Sequence, residues 1–86
     1  MYDLVKYANR HLSDFKIVHA CFGVYKFLKE DFEITVFEPY FGNGFMFELL
    51  LRENEVETYR QTFEVLDELL EILTIKLKEK YITENA

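Results

Sequence analysis

Two histidines and one cysteine are the side chains in this 86-residue sequence best suited to nucleophile–base chemistry or soft-metal ligation near neutral pH. On an extended strand, His19 and Cys21 share a face. Successive side chains on one face stand about 7 Å apart, too far for a thiolate–imidazole hydrogen bond. Both are expected in or near the core. A metal centre drawn from His11, His19, Cys21 and a carboxylate matches none of the recognised zinc spacings, so no metal and no cofactor is expected. The chain has no Gly-x-Gly-x-x-Gly, no P-loop and no Gly-x-Ser-x-Gly elbow. Its carboxylates fall on expected solvent faces, where nothing would raise their pKa for acid–base work. The chemistry left is that of recognition, and the expected class is a non-enzymatic binding protein.

Two sets of residues could recognise a partner. Glu57, Glu64, Asp67, Glu68 and Glu71 fall on one side of an expected C-terminal helix, interrupted by Arg60. Like charges three and four residues apart cost a few tenths of a kcal/mol per pair, so helix stability alone would not choose them. They read either as a docking face for a basic protein, including mimicry of a nucleic-acid backbone, or as an ordinary solvated face. The second set is Tyr40 and Phe41, beside Gly42-Asn43-Gly44. Rigid rings at an exposed turn resemble interface anchors, and they are equally able to fold back over a sheet edge.

Composition narrows the partners. Sixteen acidic and ten basic residues leave a formal charge of −6, which opposes binding to nucleic-acid phosphates and to anionic membranes. A charged partner should therefore be basic. Half the residues are hydrophobic and 17% are aromatic, enough for a packed core in one domain spanning residues 1–86. A lone cysteine forms no internal disulfide, which suits a reducing compartment. Neither a signal peptide nor a membrane-spanning run is visible, and a soluble cytoplasmic protein is expected.

The elements that must position these residues follow from periodicity. Tyr2 to Leu12 places Met1, Leu4, Val5, Ala8 and Leu12 on one side of a short helix, too short to stand alone. Phe15 to Leu28 alternates like a strand apolar on both faces, with Gly23 marking either a bend or a hairpin turn. Phe32 to Phe37 alternates cleanly, with Phe32, Ile34 and Val36 inward. Phe45 to Arg52 forms the next strand, after the glycine-rich reversal. The longest element is expected from Asn54 to about Ile82, followed by a frayed tail from Thr83 to Ala86. Asn54 and Glu57 make an Asn-x-x-Glu cap, and Val56, Tyr59, Phe63, Leu66, Leu70, Leu73 and Leu77 recur at three and four.

The fold expected is α+β: a short N-terminal helix, a three- to four-stranded antiparallel sheet, and a long C-terminal helix across one sheet face. Such a helix would be roughly 40 Å long, longer than a domain about 30 Å across, and its apolar arc would span about 200°. The excess surface at Leu69, Ile72, Leu73, Leu77 and Tyr81 is then to be covered by the N-terminal helix, a second copy or a foreign partner, with a homodimer expected.

In size, charge and lack of motifs, the chain resembles the small acidic proteins of phages and other mobile elements, anti-CRISPR inhibitors among them. That resemblance implies an inhibitor that occupies a basic or apolar surface of a target protein. The alternatives are a structural or accessory subunit of a larger complex, or a small-molecule binder with a pocket between sheet and helix.

Overall fold

The computed structural model describes residues 2–42 and 44–84, and the side chains of residue 2 and residues 82–84 are not among the described groups. The expected roles of Met1, Asn43, the Ile82 side chain and the Asn85–Ala86 end therefore lie outside the described residues. Helix α1 (Tyr2–His11) leads through a tight connection into β1 (Lys16–Cys21), β2 (Val24–Lys29), β3 (Phe32–Phe37), β4 (Phe47–Glu53) and β5 (Val56–Phe63), and α2 (Leu66–Glu84) closes the chain. Among the described residues the five strands form one antiparallel sheet in sequence order. The α+β class holds, with five strands where three or four were expected.

Two reversals account for the difference. Phe22 and Gly23 carry φ of 54° and 73°, the paired positive angles of a two-residue hairpin turn whose twist matches that of its strands. Residues 15–28 are thus a hairpin, with Cys21 opposite Val24. Asn54 and Glu55 do the same at 54° and 67°, so the chain turns back into β5 where a helix was expected. Asparagine suits a helix N-cap and a left-handed turn position equally well, and here the turn wins.

The helical spacing in β5 has a physical source. The β4–β5 register shifts beside Thr58, pairing Leu51 with Tyr59 but Arg52 with Glu57. One extra residue turns a strand step of two into three, so Val56 and Tyr59 both follow the inner-face register. Tyr59 and Phe63, two full pleats apart, are also spaced by four. A bulged strand and a helix can share that pattern.

Helix α2 has 19 residues, which at 1.5 Å each gives about 28 Å, inside the molecule's longest extent of 38 Å. That is well short of the roughly 40 Å expected, and the end of the helix stays on the domain, with Tyr81 packed against Phe15 and Phe32. The helix lies against β4 and β5, and α1 packs on α2. Leu4, Leu12, Phe15, Phe27, Phe32, Ile34, Val36, Leu49, Leu51, Phe63, Leu69 and Leu73 make one buried cluster between helices and sheet. The Tyr7 hydroxyl joins the helices through a 2.8 Å hydrogen bond with Thr74, and burial pushes its pKa above the usual phenol value. At the far end, Phe15, Phe32 and Tyr81 meet edge to face with centroids 6.2–6.4 Å apart.

The opposite sheet face is charged but not open at its centre. Thr35 is 1% and Leu50 9% exposed there. Arg60 reaches the buried Glu48 at 3.1 Å and Arg52 approaches Glu33 at 3.6 Å. No described helix is long and apolar enough to cross a membrane.

The β4–β5 turn offers a sign test. Glu55→Gly should relieve a left-handed residue and stabilise the fold by about 0.5–1 kcal/mol, read as a higher urea midpoint. A helix through this position would predict a loss of about 1 kcal/mol instead.

Candidate functional site

The end of the sheet that carries the β1–β2 turn also carries the β3–β4 connection, because a meander brings alternate turns to one side. Cys21, Val24, Phe37, Glu48 and Thr62 stand across from one another along the last row of strand pairs. Beyond that row lie the Phe22–Gly23 turn, residues 38–42 and residues 44–46. One backbone bond ties the two connections together, Glu38 donating its N–H to the Gly23 carbonyl at 2.8 Å, and within the second connection Tyr40 donates to the Gly44 carbonyl at 2.8 Å.

Four aromatic rings face outward here. Phe22 is 83% exposed, Tyr40 81%, Phe45 70% and Phe41 53%. The lower figure for Phe41 has a cause. Its ring lies on Gly23, where an added Cβ would sit 2.3 Å from ring carbon Cδ2. Tyr40 holds a positive φ of 73°, strained for a residue with a Cβ, which presents its side chain outward from the reversal. Below the rings, Tyr25 donates its hydroxyl proton to Glu38 at 3.0 Å. Burial first, and then that hydrogen bond to a carboxylate, push the tyrosine's pKa up. Large rings held in water on a braced backbone are costly to keep exposed, and large exposed apolar patches commonly mark contact surfaces.

Tyr40 and Phe41 were expected at this turn, whereas Phe22 and Phe45 were read as strand residues. The signal for Phe22 was Gly23, which permits a hairpin at that point. For Phe45 it was the neighbouring glycine, whose φ of 131° delays the start of β4 to Phe47.

The five acidic residues do not share one helical face. Glu57 lies on β5, where Arg60 bonds it at 2.9 Å and holds its carboxyl below the usual range. Asp67 faces a groove with Asp3, Lys6, Arg10 and His11 of α1. Glu64, Glu68 and Glu71 do come together, around a hollow also bounded by Met46, Gln61, Thr62 and Ile72. Glu57 is split off because α2 begins only at Leu66 and residue 57 lies on β5, and Asp67 is split off because its side of α2 faces α1.

The apolar residues assigned to a dimer or partner surface are likewise redistributed. Leu69 and Leu73 are fully buried against the sheet, Ile72, Leu77 and Tyr81 pack against the same core, and Tyr81 completes the edge-to-face ring trio. The fifth strand supplies the apolar surface that these side chains need. Leu69 and Leu73 are core, and Ile72, Leu77 and Tyr81 are partly buried at its margin.

His19 and Cys21 are closer than strand spacing suggested and neither is buried. His19 Nε2 lies 3.5 Å from the thiol Sγ and 3.0 Å from the Cys21 carbonyl oxygen, and the cysteine is exposed. A carbonyl only accepts, so that contact requires a proton on Nε2. The nitrogen facing the thiol is then a donor, not a base. His11 stacks on Tyr7 instead, with centroids 4.6 Å apart. Among the described residues no three of His, Cys, Asp and Glu converge as metal ligands would.

A cleft of about 380 Å³ between β5 and the second half of α2 is the sheet–helix pocket. Lys76 Nζ covers the Tyr59 ring at 4.4 Å and Lys80 Nζ covers Phe32 at 4.9 Å, so the protein's own cations cap its aromatic floor. Comparison of the chain with protein-family models, curated proteins and solved structures returned no match.

Proposed function

We propose that this chain is a non-enzymatic protein-binding module that docks through the aromatic end of its sheet. The observation that supports the reading is the exposure of Phe22, Tyr40, Phe41 and Phe45, between 53% and 83%, on two neighbouring turns joined by a backbone hydrogen bond. Aromatic anchors on a braced backbone lose little conformational freedom on binding and bury much apolar area, the combination found at interface hot spots. The partner is a protein with an apolar hollow. The net charge of −6 favours a basic rim around it and opposes phosphate-rich surfaces.

Affinity capture from the native host, comparing the wild-type chain with Phe22→Ser/Phe45→Ser, tests the proposal. Both side chains face water, so the variant should melt within a few degrees of wild type. It should retain its partner at least about 30-fold more weakly, the equivalent of one hot spot of 2 kcal/mol. Equal retention by both chains would overturn it. A homodimer through the same end predicts dimers in sedimentation at high micromolar concentration that the double variant abolishes.

A further inference from the structure

We propose a second docking surface, distinct from the aromatic end: the open edge of β5 takes up an extended basic segment of another protein as a sixth strand. The two sheet edges are unlike. On β1 the register shifts between Ile17 and His19, breaking the ladder near the middle of a six-residue strand. Bulges of that kind blunt an edge against added strands. Strand β5 has eight residues, and its register break falls near its start, so Tyr59 to Phe63 pair with β4 without interruption. It contains no proline or lysine, two residues that commonly guard edges, and its charged residues are engaged within the chain, Arg60 bonding Glu57 at 2.9 Å and Glu48 at 3.1 Å. Among the described residues no strand pairs with its outer side, whose N–H and C=O groups face away from β4.

The charge beside that edge says what fits. Glu64, Glu68 and Glu71 border a hollow with Gln61, Thr62 and Ile72, and among the described residues no cation lines it. A strand laid along Tyr59–Phe63 would run past these carboxylates, with alternate side chains directed over them. Lysine or arginine there finds opposite charge. A second copy of the chain does not. Antiparallel self-pairing sets the start of one β5 beside the end of the other, bringing Glu55 toward Glu64, and like charges across strands repel. The occupant is therefore a basic segment from a different protein, held by main-chain hydrogen bonds and selected by charge.

The probe is a fluorescein-labelled ten-residue peptide of alternating lysine and valine, titrated into the full chain and followed by anisotropy and by backbone amide NMR shifts. Saturable binding is expected in low salt, weakened at least tenfold between about 50 and 500 mM salt because exposed charges are screened. Glu64→Gln/Glu68→Gln/Glu71→Gln should weaken it by at least tenfold as well. So should N-methylation of alternate peptide amides, which removes ladder donors without changing charge. The largest shifts should fall on Tyr59 to Phe63, and Phe22→Ser/Phe45→Ser should bind the peptide as wild type does, which separates this surface from the aromatic end. Absence of binding overturns the proposal. Equal affinity of the N-methylated peptide would reduce the site to a diffuse acidic patch and sink strand addition. Equal affinity of the glutamine variant would remove the charge selection. Concentration-dependent shifts at Tyr59–Phe63 without peptide would make the occupant a second copy and likewise overturn it.

Discussion

Leu73→Ala is expected to destabilise the protein by about 2–5 kcal/mol, read as a lower urea midpoint with little change in slope. Leu73 has 0% of its surface exposed and packs with Leu69, which is also fully buried, between α2 and the sheet. Removing three buried carbons forfeits their transfer free energy and leaves a cavity that a rigid sheet floor cannot fill. Because small folds are only marginally stable, such a loss is a large fraction of the total. The experiment also decides between two roles for this residue. A leucine at a self-association surface would lose stability only in proportion to dimer, so its midpoint would rise with protein concentration. A core leucine gives a midpoint independent of concentration. Val65→Ala is the control: Val65 stands just before α2 with 48% exposure and should cost well under 1 kcal/mol.

Leu73 marks how far residue patterns carry. The period through Leu66, Leu70, Leu73 and Leu77 identified a real helix face, and β3 from Phe32 to Phe37 was legible to the residue. Both rest on one unbroken period. The failures lie where two periods coincide or where a turn residue serves two purposes. Val56, Tyr59 and Phe63 match a helix because a bulge at Thr58 lengthens one strand step, and no local property of those residues reports a bulge. Asn54 satisfied the cap rule and the turn rule together. Extending the helix by those residues created an overhang and an apolar excess, and the excess then required a dimer. One misplaced boundary thus carried through to the argument for a dimer. Among the candidate contact residues, Tyr40 and Phe41 were legible because glycines flank their turn. Phe22 and Phe45 were not, since a phenylalanine ending a strand run looks like core until the turn beside it is placed. The grouping of Glu64, Glu68 and Glu71 depends only on α2 and its entry, so it survived the shorter helix. Glu57 and Asp67 depended on the lost residues or on where α1 docks.

Gly23→Ala is expected to cost about 1–3 kcal/mol and to disturb the aromatic end at the same time. Gly23 sits at a φ of 73°, where a Cβ costs about 1–2 kcal/mol in a non-glycine residue. The new methyl would also stand 2.3 Å and 2.4 Å from Cδ2 and Cγ of Phe41. Cγ is near the stem of that side chain, so a flick of the ring tip does not relieve the overlap; the ring must leave. The two contributions separate in a double-mutant cycle with Phe41→Ala. If the ring contact matters, Gly23→Ala costs less in the Phe41→Ala background than in wild type, with a coupling of about 0.5–1.5 kcal/mol, and only the backbone strain remains. Strict additivity would mean that Phe41 does not rest on the turn. Phe22, the other residue of the turn, already holds a positive φ of 54°, so the pair is a strained two-residue reversal braced by one ring. That bracing links stability to recognition: moving Phe41 off Gly23 frees the loop that carries Tyr40 and Phe45. Gly23→Ala should therefore weaken partner capture although no side chain at the surface is removed, and the Phe41→Ala variant should weaken it through both lost contact and lost order.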